Sequence, residues 1–158
     1  MKATNYNFLM VRENDFIFAV NDASRKYGDY LCQELGSIGI RCSYLHIMKT
    51  LMDNVKEKND KGLTQLELVK ITNLKAPTIS ITLRNMERDG IVRREKNDAD
   101  RRETHVFITD KGKKMYGKVL DTLDKAEKTM LKGLSDKELK AMRVTLDKMS
   151  ANLNAEIK

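Results

Sequence analysis

The chain has 158 residues, the length of one ordinary domain or two small lobes, and its 30 Lys and Arg outnumber its 23 Asp and Glu, for a formal net charge of +7. That balance favours anionic partners without naming one. Charged residues make up 34% and aromatics 6%, with no Trp and one Pro, which suits a mostly helical, soluble protein.

The N-terminal stretch MKATNYNFLMVREND lacks a long apolar segment and a small-residue cleavage site, and apolar runs such as FIFAV are too short to span a bilayer. A cytoplasmic, unprocessed protein with no membrane partner is expected. Two cysteines, Cys32 and Cys42, do not make a disulfide framework in such a chain.

A long helix is predicted over roughly residues 8–36. Phe16, Val20, Ala23, Tyr27 and Tyr30 recur at steps of 4, 3, 4 and 3 and so share one face. LGSIGI then breaks it with two glycines. CSYLHIMKTLMDNV reads as a short helix, and LTQLELVKIT as another, opened by a Thr64-x-x-Glu67 capping box. TNL is a turn. APTISITLRNMERDG is a third helix, with Pro77 in its first turn and Gly90 at its stop. IVRREK and ETHVFIT are two short strands flanking NDAD, with Val106 and Ile108 pointing inward.

Beyond residue 109 the chain is helical again. Thr109 is the expected N-cap, Gly133 closes one helix, and a second capping box at Ser135–Glu138 opens the last. Leu139, Met142, Leu146, Met149 and Leu153 form an apolar seam, too short and too rich in Met for a free coiled coil, and are expected to pack on other helices. The element order predicts a mainly α protein with a small β-hairpin. At its centre is a winged helix-turn-helix, flanked by long N- and C-terminal helices.

Wound at 100° per residue, the third middle helix gathers Ile79, Leu83 and Met86 on a core face. Pro77, Ile81, Arg84 and Arg88 fall opposite, flanked by Thr78 and Asn85. Arg can take guanine O6 and N7, Asn can take adenine N6 and N7, and an apolar side chain can meet the thymine methyl. Thr78 lies in the first turn, where free N–H groups favour a phosphate. The same face also reads as the ordinary polar side of a surface helix. The preceding capped helix and an Ile on a wet face argue for DNA instead.

The hairpin tip holds Asp100, Arg101 and Arg102. A hairpin placed after a recognition helix lies beside the minor groove, which attracts inserted Arg. Asp100 would accept from an arginine or from loop amides and hold the loop's shape. The alternative is a solvated turn with an ion pair worth ~0–1 kcal/mol.

LTQLELVKITNLKAPTISITLRNMERDGIVRREKNDADRRETHVFITDKG resembles the winged-helix core of MarR-type bacterial transcriptional regulators. The wing unit DRR, followed by ETHVFIT and DKG, carries most of the likeness, and MERDGIV resembles the segment that closes the family's recognition helix. The resemblance spans about residues 40–115. It implies a homodimer with residues 1–40 and 110–158 as a helical dimerisation lobe and residues 41–109 as the DNA-binding lobe. Each winged helix would meet half of a palindromic operator on double-stranded DNA. Repression would be relieved by a small-molecule effector or an oxidant.

Pro77, Thr78, Ser80, Ile81 and Arg84 match DNA-facing positions of the family, and Asp100 and Arg102 match its D-x-R unit. Arg101 or Arg102 would enter the minor groove. Many members carry a basic residue where Ile81 stands, so recognition there would rest on apolar contact. Ala76 is a poor N-cap, which leaves more of the helix N-terminus free for phosphate.

Effector candidates are Tyr27, Tyr44, His46 and Met48, with ordinary core packing as the alternative. Cys32 and Cys42 are candidate oxidant sensors. His46, His105, Cys32 and Cys42 show no metal-ligand spacing, so no metal is expected.

No G-x-x-x-x-G-K-[ST], G-x-S-x-G, H-E-x-x-H or C-x-x-C motif is present. Neither an enzyme nor a cofactor is therefore expected. The competing class is a winged-helix module that senses a ligand or binds protein without reading DNA sequence.

Overall fold

A computed structural model describes residues 16–57, 61–96 and 103–156. The chain divides into two compact units, residues 1–126 and 127–158. The first contains helix α1 (Phe16–Ser37), a 3-10 turn (Cys42–Tyr44), and helices α2 (Leu45–Lys56), α3 (Gln65–Thr72) and α4 (Ala76–Arg88). It also holds strands β1 (Leu63–Thr64), β2 (Val92–Lys96) and β3 (Thr104–Ile108), and most of α5 (Asp110–Met130). The second holds the end of α5 and α6 (Asp136–Glu156).

The predicted mainly α winged helix is present, with one addition. The sheet has three antiparallel strands in the order β1-β3-β2, where two were expected. Leu63 pairs with Val106 and Thr64 with His105. Two residues carry no readable alternation, so β1 could not be found by periodicity. Between β2 and β3, Val92 pairs with Ile108 and Arg94 with Val106. Val92, Val106 and Ile108 are buried, so the period-2 reading of the hairpin holds.

The core is continuous. Leu31 and Leu35 of α1, Ile47, Met48 and Leu51 of α2, and Leu68 of α3 meet Ile79, Leu83 and Met86 of α4. Tyr116, Val119 and Ala126 of α5 belong to the same cluster. Their helical spacing turns one stripe of each helix inward.

The predicted stop signals act as caps. Thr64 accepts from Glu67 N at 3.3 Å, and Glu67 Oε2 accepts from Thr64 N at 2.7 Å, completing the capping box. Asn73 ends α3 in the left-handed region with φ 53°. Ser135 and Glu138 form the second box at the start of α6. At the end of α4, Gly90 has φ +70°; Ile91 N donates to Met86 O at 2.8 Å and Gly90 N to Glu87 O at 3.0 Å. That pair of bonds is a Schellman motif, which needs the residue with positive φ.

Three expectations change. Cys32 and Cys42 are joined as a disulfide, with Cα atoms 5.3 Å apart. The bridge tethers α1 to the 3-10 turn across LGSIGI, a proximity that folding creates and spacing alone did not reveal. The predicted face of the first helix is only partly buried. Tyr27 and Tyr30 pack on the core, while Phe16, Ile17 and Phe18 are exposed. Finally, among the described residues none of α6 is buried, and Met142, Leu146 and Leu153 of its seam are exposed, where packing on other helices was expected.

Candidate nucleic-acid interface

Helix α4 is oriented by its buried side. Ile79, Leu83 and Met86 are fully buried, and Thr82 nearly so. The opposite face therefore points outward. Pro77, Ile81, Arg84 and Arg88 are exposed, and Thr78, Ser80 and Asn85 are half-buried beside them. Ile81 is 59% exposed, an apolar side chain left in water. The predicted face is thus assembled on one helix.

The two arginines differ. Arg84 meets no carboxylate among the described residues, whereas Arg88 Nε lies 3.4 Å from Asp89 Oδ1. Arg84 is therefore the freer of the two guanidinium groups, and Arg88 is held near the helix end.

The N-cap of α4 is Lys75 rather than Ala76, which is the first helical residue. No side chain caps this end, and its first turn carries no acid. Its free amide donors and the positive end of the helix dipole are left facing outward, the environment that suits a phosphate oxygen.

The wing strands show where other cations go. Arg93 lies over the Phe107 ring at 4.5 Å and pairs with Glu95. Arg94 Nε sits 3.3 Å from Glu87 Oε2 at the α4 end. Both are engaged with protein groups. Asp100, Arg101 and Arg102 lie outside the described residues.

Of the effector candidates, Tyr44 and Met48 are fully buried in the core, and Tyr27 packs on its edge. His46 lies in a different setting, lining an open groove between α2 and α3 with Lys49, Asp53 and Ile71. The four are not gathered around that groove.

Sequence reading missed a non-local network at the end of α4. The Tyr44 hydroxyl donates to Asp89 Oδ2 at 2.6 Å, and Lys111 Nζ donates to the Asp89 carbonyl at 2.7 Å. Burial, then the Asp89 carboxylate, pushes the Tyr44 phenol up to about 12, while the Tyr44 bond holds the Asp89 carboxyl below its usual range. Thr109 Oγ1 accepts from Gly112 N at 3.0 Å and donates to Gly90 O at 2.7 Å. The predicted N-cap therefore also ties α5 to the turn after α4.

The MarR family model matches residues 53–103. An uncharacterised HTH-type transcriptional regulator of Bacillus subtilis, YwoH, is 25% identical over 125 residues, covering 79% of this chain and 86% of that protein. MepR, a transcription regulator of the Staphylococcus aureus multidrug efflux pump MepA, is 25% identical with a TM-score of 0.74, covering 88% of this chain and 98% of its own. The S. aureus MepR–DNA complex matches with 26% identity and a TM-score of 0.70, covering 89% and 99%. These relatives are regulators rather than enzymes. The outward α4 face, the wing strands that follow it and these likenesses converge on one resemblance: the chain is similar to MarR-family transcriptional regulators.

Proposed function

We propose that the protein binds double-stranded DNA sequence-specifically, as a homodimer on a palindromic operator in the cytoplasm, and acts as a repressor. The observation that carries this reading is the exposed α4 face. It joins an exposed Arg84 that meets no carboxylate among the described residues, a solvent-exposed Ile81 and a helix N-terminus without a side-chain cap. These are, in turn, a base-edge donor, a thymine-methyl contact and a phosphate seat. Pro77, Thr78, Ser80, Asn85 and Arg88 complete the contact surface, with Asp100, Arg101 and Arg102 as the wing group.

Dimerisation through residues 1–40 and 110–158 is supported by apolar side chains left in water on the terminal helices. Phe16, Ile17 and Phe18 are exposed on α1. On α6, Met142, Leu146 and Leu153 are exposed. Release by a small molecule or by an oxidant completes the reading. The oxidant route is supported by the nearness of Cys32 and Cys42, since a two-electron oxidant acting on the reduced pair would close this bridge with loss of both thiol protons.

The test is genomic footprinting with the purified protein, followed by binding isotherms at fixed salt. A palindromic site bound about a thousand-fold or more tighter than random duplex is expected. Equal affinity for both would replace this reading with that of a ligand-sensing or protein-binding module.

A further inference from the structure

Tyr44 lies in the 3-10 turn between α1 and α2, fully buried, 45 positions before its hydrogen-bond partner. Asp89 is the C-cap residue of α4. One carboxylate oxygen receives the Tyr44 hydroxyl at 2.6 Å, and the other lies 3.4 Å from Arg88 Nε. Its backbone carbonyl receives Lys111 of α5 at 2.7 Å. A single residue at the end of the α4 helix is thus held by three elements.

Nothing in packing alone requires the Tyr44 hydroxyl. The ring fills the core, and a Phe would fill the same space. The oxygen adds direction: a buried donor aimed at a charged acceptor makes a short bond with a strong angular preference. We propose that Tyr44 and Asp89 are a positioning pair that sets the rotation of α4 about its axis and so aims Ile81 and Arg84 at the base edges. The same carboxylate holds Arg88 back at the helix end. The pair touches no base. It acts through α4, and the inference rests on the DNA-binding reading above.

The pair makes a distinctive demand. Losing the bond loosens the aim of α4 but leaves its charges in place, so recognition of the operator weakens while attraction to phosphate does not. Tyr44→Phe and Asp89→Ala should each weaken operator binding by roughly ten- to 150-fold at 25 °C, the range expected for loss of one charge-assisted bond. For Tyr44→Phe, which changes no charge, affinity for random duplex and the salt slope should stay at wild-type values. Asp89→Asn keeps an oxygen acceptor for the phenol and should recover most of the operator affinity. The double variant Tyr44→Phe/Asp89→Ala should bind no worse than the weaker single variant, because both break one bond.

A merely structural role would lower operator and random-DNA binding together, in step with the folded fraction, and Asp89→Asn would not rescue. That pattern, or additive losses in the double variant, overturns the proposal. Hydrogen exchange of the free protein separates this failure from failure of the DNA reading. Tyr44→Phe should speed exchange of the amides at Asp89, Gly90 and Ile91 while leaving those of α2 unchanged. Unaltered exchange there overturns the pair whatever the DNA result. A wild-type protein without operator preference overturns the functional reading even if the exchange result holds.

Discussion

Replacing Gly112 by Ala sets two effects of opposite sign against each other. Gly112 is the third residue of α5, and helix propensity alone favours Ala over Gly by up to ~1 kcal/mol. A Cβ there, however, would lie 2.3 Å from the Ile91 carbonyl oxygen and 2.7 Å from Ile108 Cγ1, against a practical floor of 3.0 Å for such contacts. The carbonyl cannot yield cheaply, since it accepts from Thr109 N at 3.0 Å and Thr109 Oγ1 at 3.1 Å. Ile91 is itself fixed through its amide bond to Met86 O. Overpacking of this kind costs ~1–3 kcal/mol, and weakening the two Thr109 bonds adds ~1 kcal/mol each. The clash therefore wins, with a net loss of roughly 2–4 kcal/mol and a fall in Tm of roughly 5–12 °C for a chain of this length. Gly117 is the internal control. It lies in the same helix with nothing within 4 Å of its Cβ position, so Gly117→Ala should be neutral or stabilising by up to ~1 kcal/mol. Urea unfolding of both variants at one protein concentration makes the comparison. Equal stability of the two would refute the claim that DKG is a packing requirement where α5 meets the base of the wing.

Arg84→Ala should weaken operator binding by ~1–3 kcal/mol and relax selectivity at one position per half-site; uniform weakening across all duplexes would make Arg84 a phosphate contact instead. Replacing Arg101 and Arg102 together by Ala should reduce affinity most for operators with A/T-rich flanks, and indifference to the flanks would contradict minor-groove insertion. Reducing the Cys32–Cys42 bridge opens a loop of sequence separation 10, so a reductant should cost up to roughly 2.5–3 kcal/mol in urea unfolding, with thiol titration counting the opened bridge. Unchanged midpoints with both thiols free would remove it as a structural tie. The carboxyls of Glu67, bonded by the Thr64 amide and hydroxyl, and of Asp89, bonded by Tyr44, are held below 4.5 and 3.8. Their contributions are complete above those values and disappear as pH falls through the lower folded ones. Glu67→Gln and Asp89→Asn should therefore flatten the acid limb of the stability curve, and a limb identical to wild type would argue against both bonds.

What was legible in the sequence was local. A capping box needs only residues three apart, and both boxes formed where they were predicted. The burial of Ile79, Leu83 and Met86 follows from helical period alone, which is why the outward face of α4 could be predicted before any tertiary contact was known. The exposure of the α6 seam was not legible. Its period announces an apolar face, but period does not say whether the covering surface belongs to the same chain.

The illegible features are contacts made between distant segments by residues with innocent local patterns. Tyr44 sits between Ser43 and Leu45 and reads as an effector candidate or as core packing. Asp89 lies just before Gly90, the residue that reads as the helix stop. Only the fold brings the hydroxyl of one to the carboxylate of the other. The same holds for Cys32 and Cys42, whose ten-residue spacing matches no pairing rule until the turn at LGSIGI folds them together. Both meetings involve the 3-10 turn Cys42–Tyr44, tied on one side to α1 by sulfur and on the other to α4 by a hydrogen bond. A change in α1 thus has a short covalent and hydrogen-bonded route to the end of the helix proposed to read DNA. Breaking the route at Cys42 and breaking it at Tyr44 should have coupled effects on operator affinity, since each severs the same connection; independent, additive losses would mean that the turn carries nothing between the two helices.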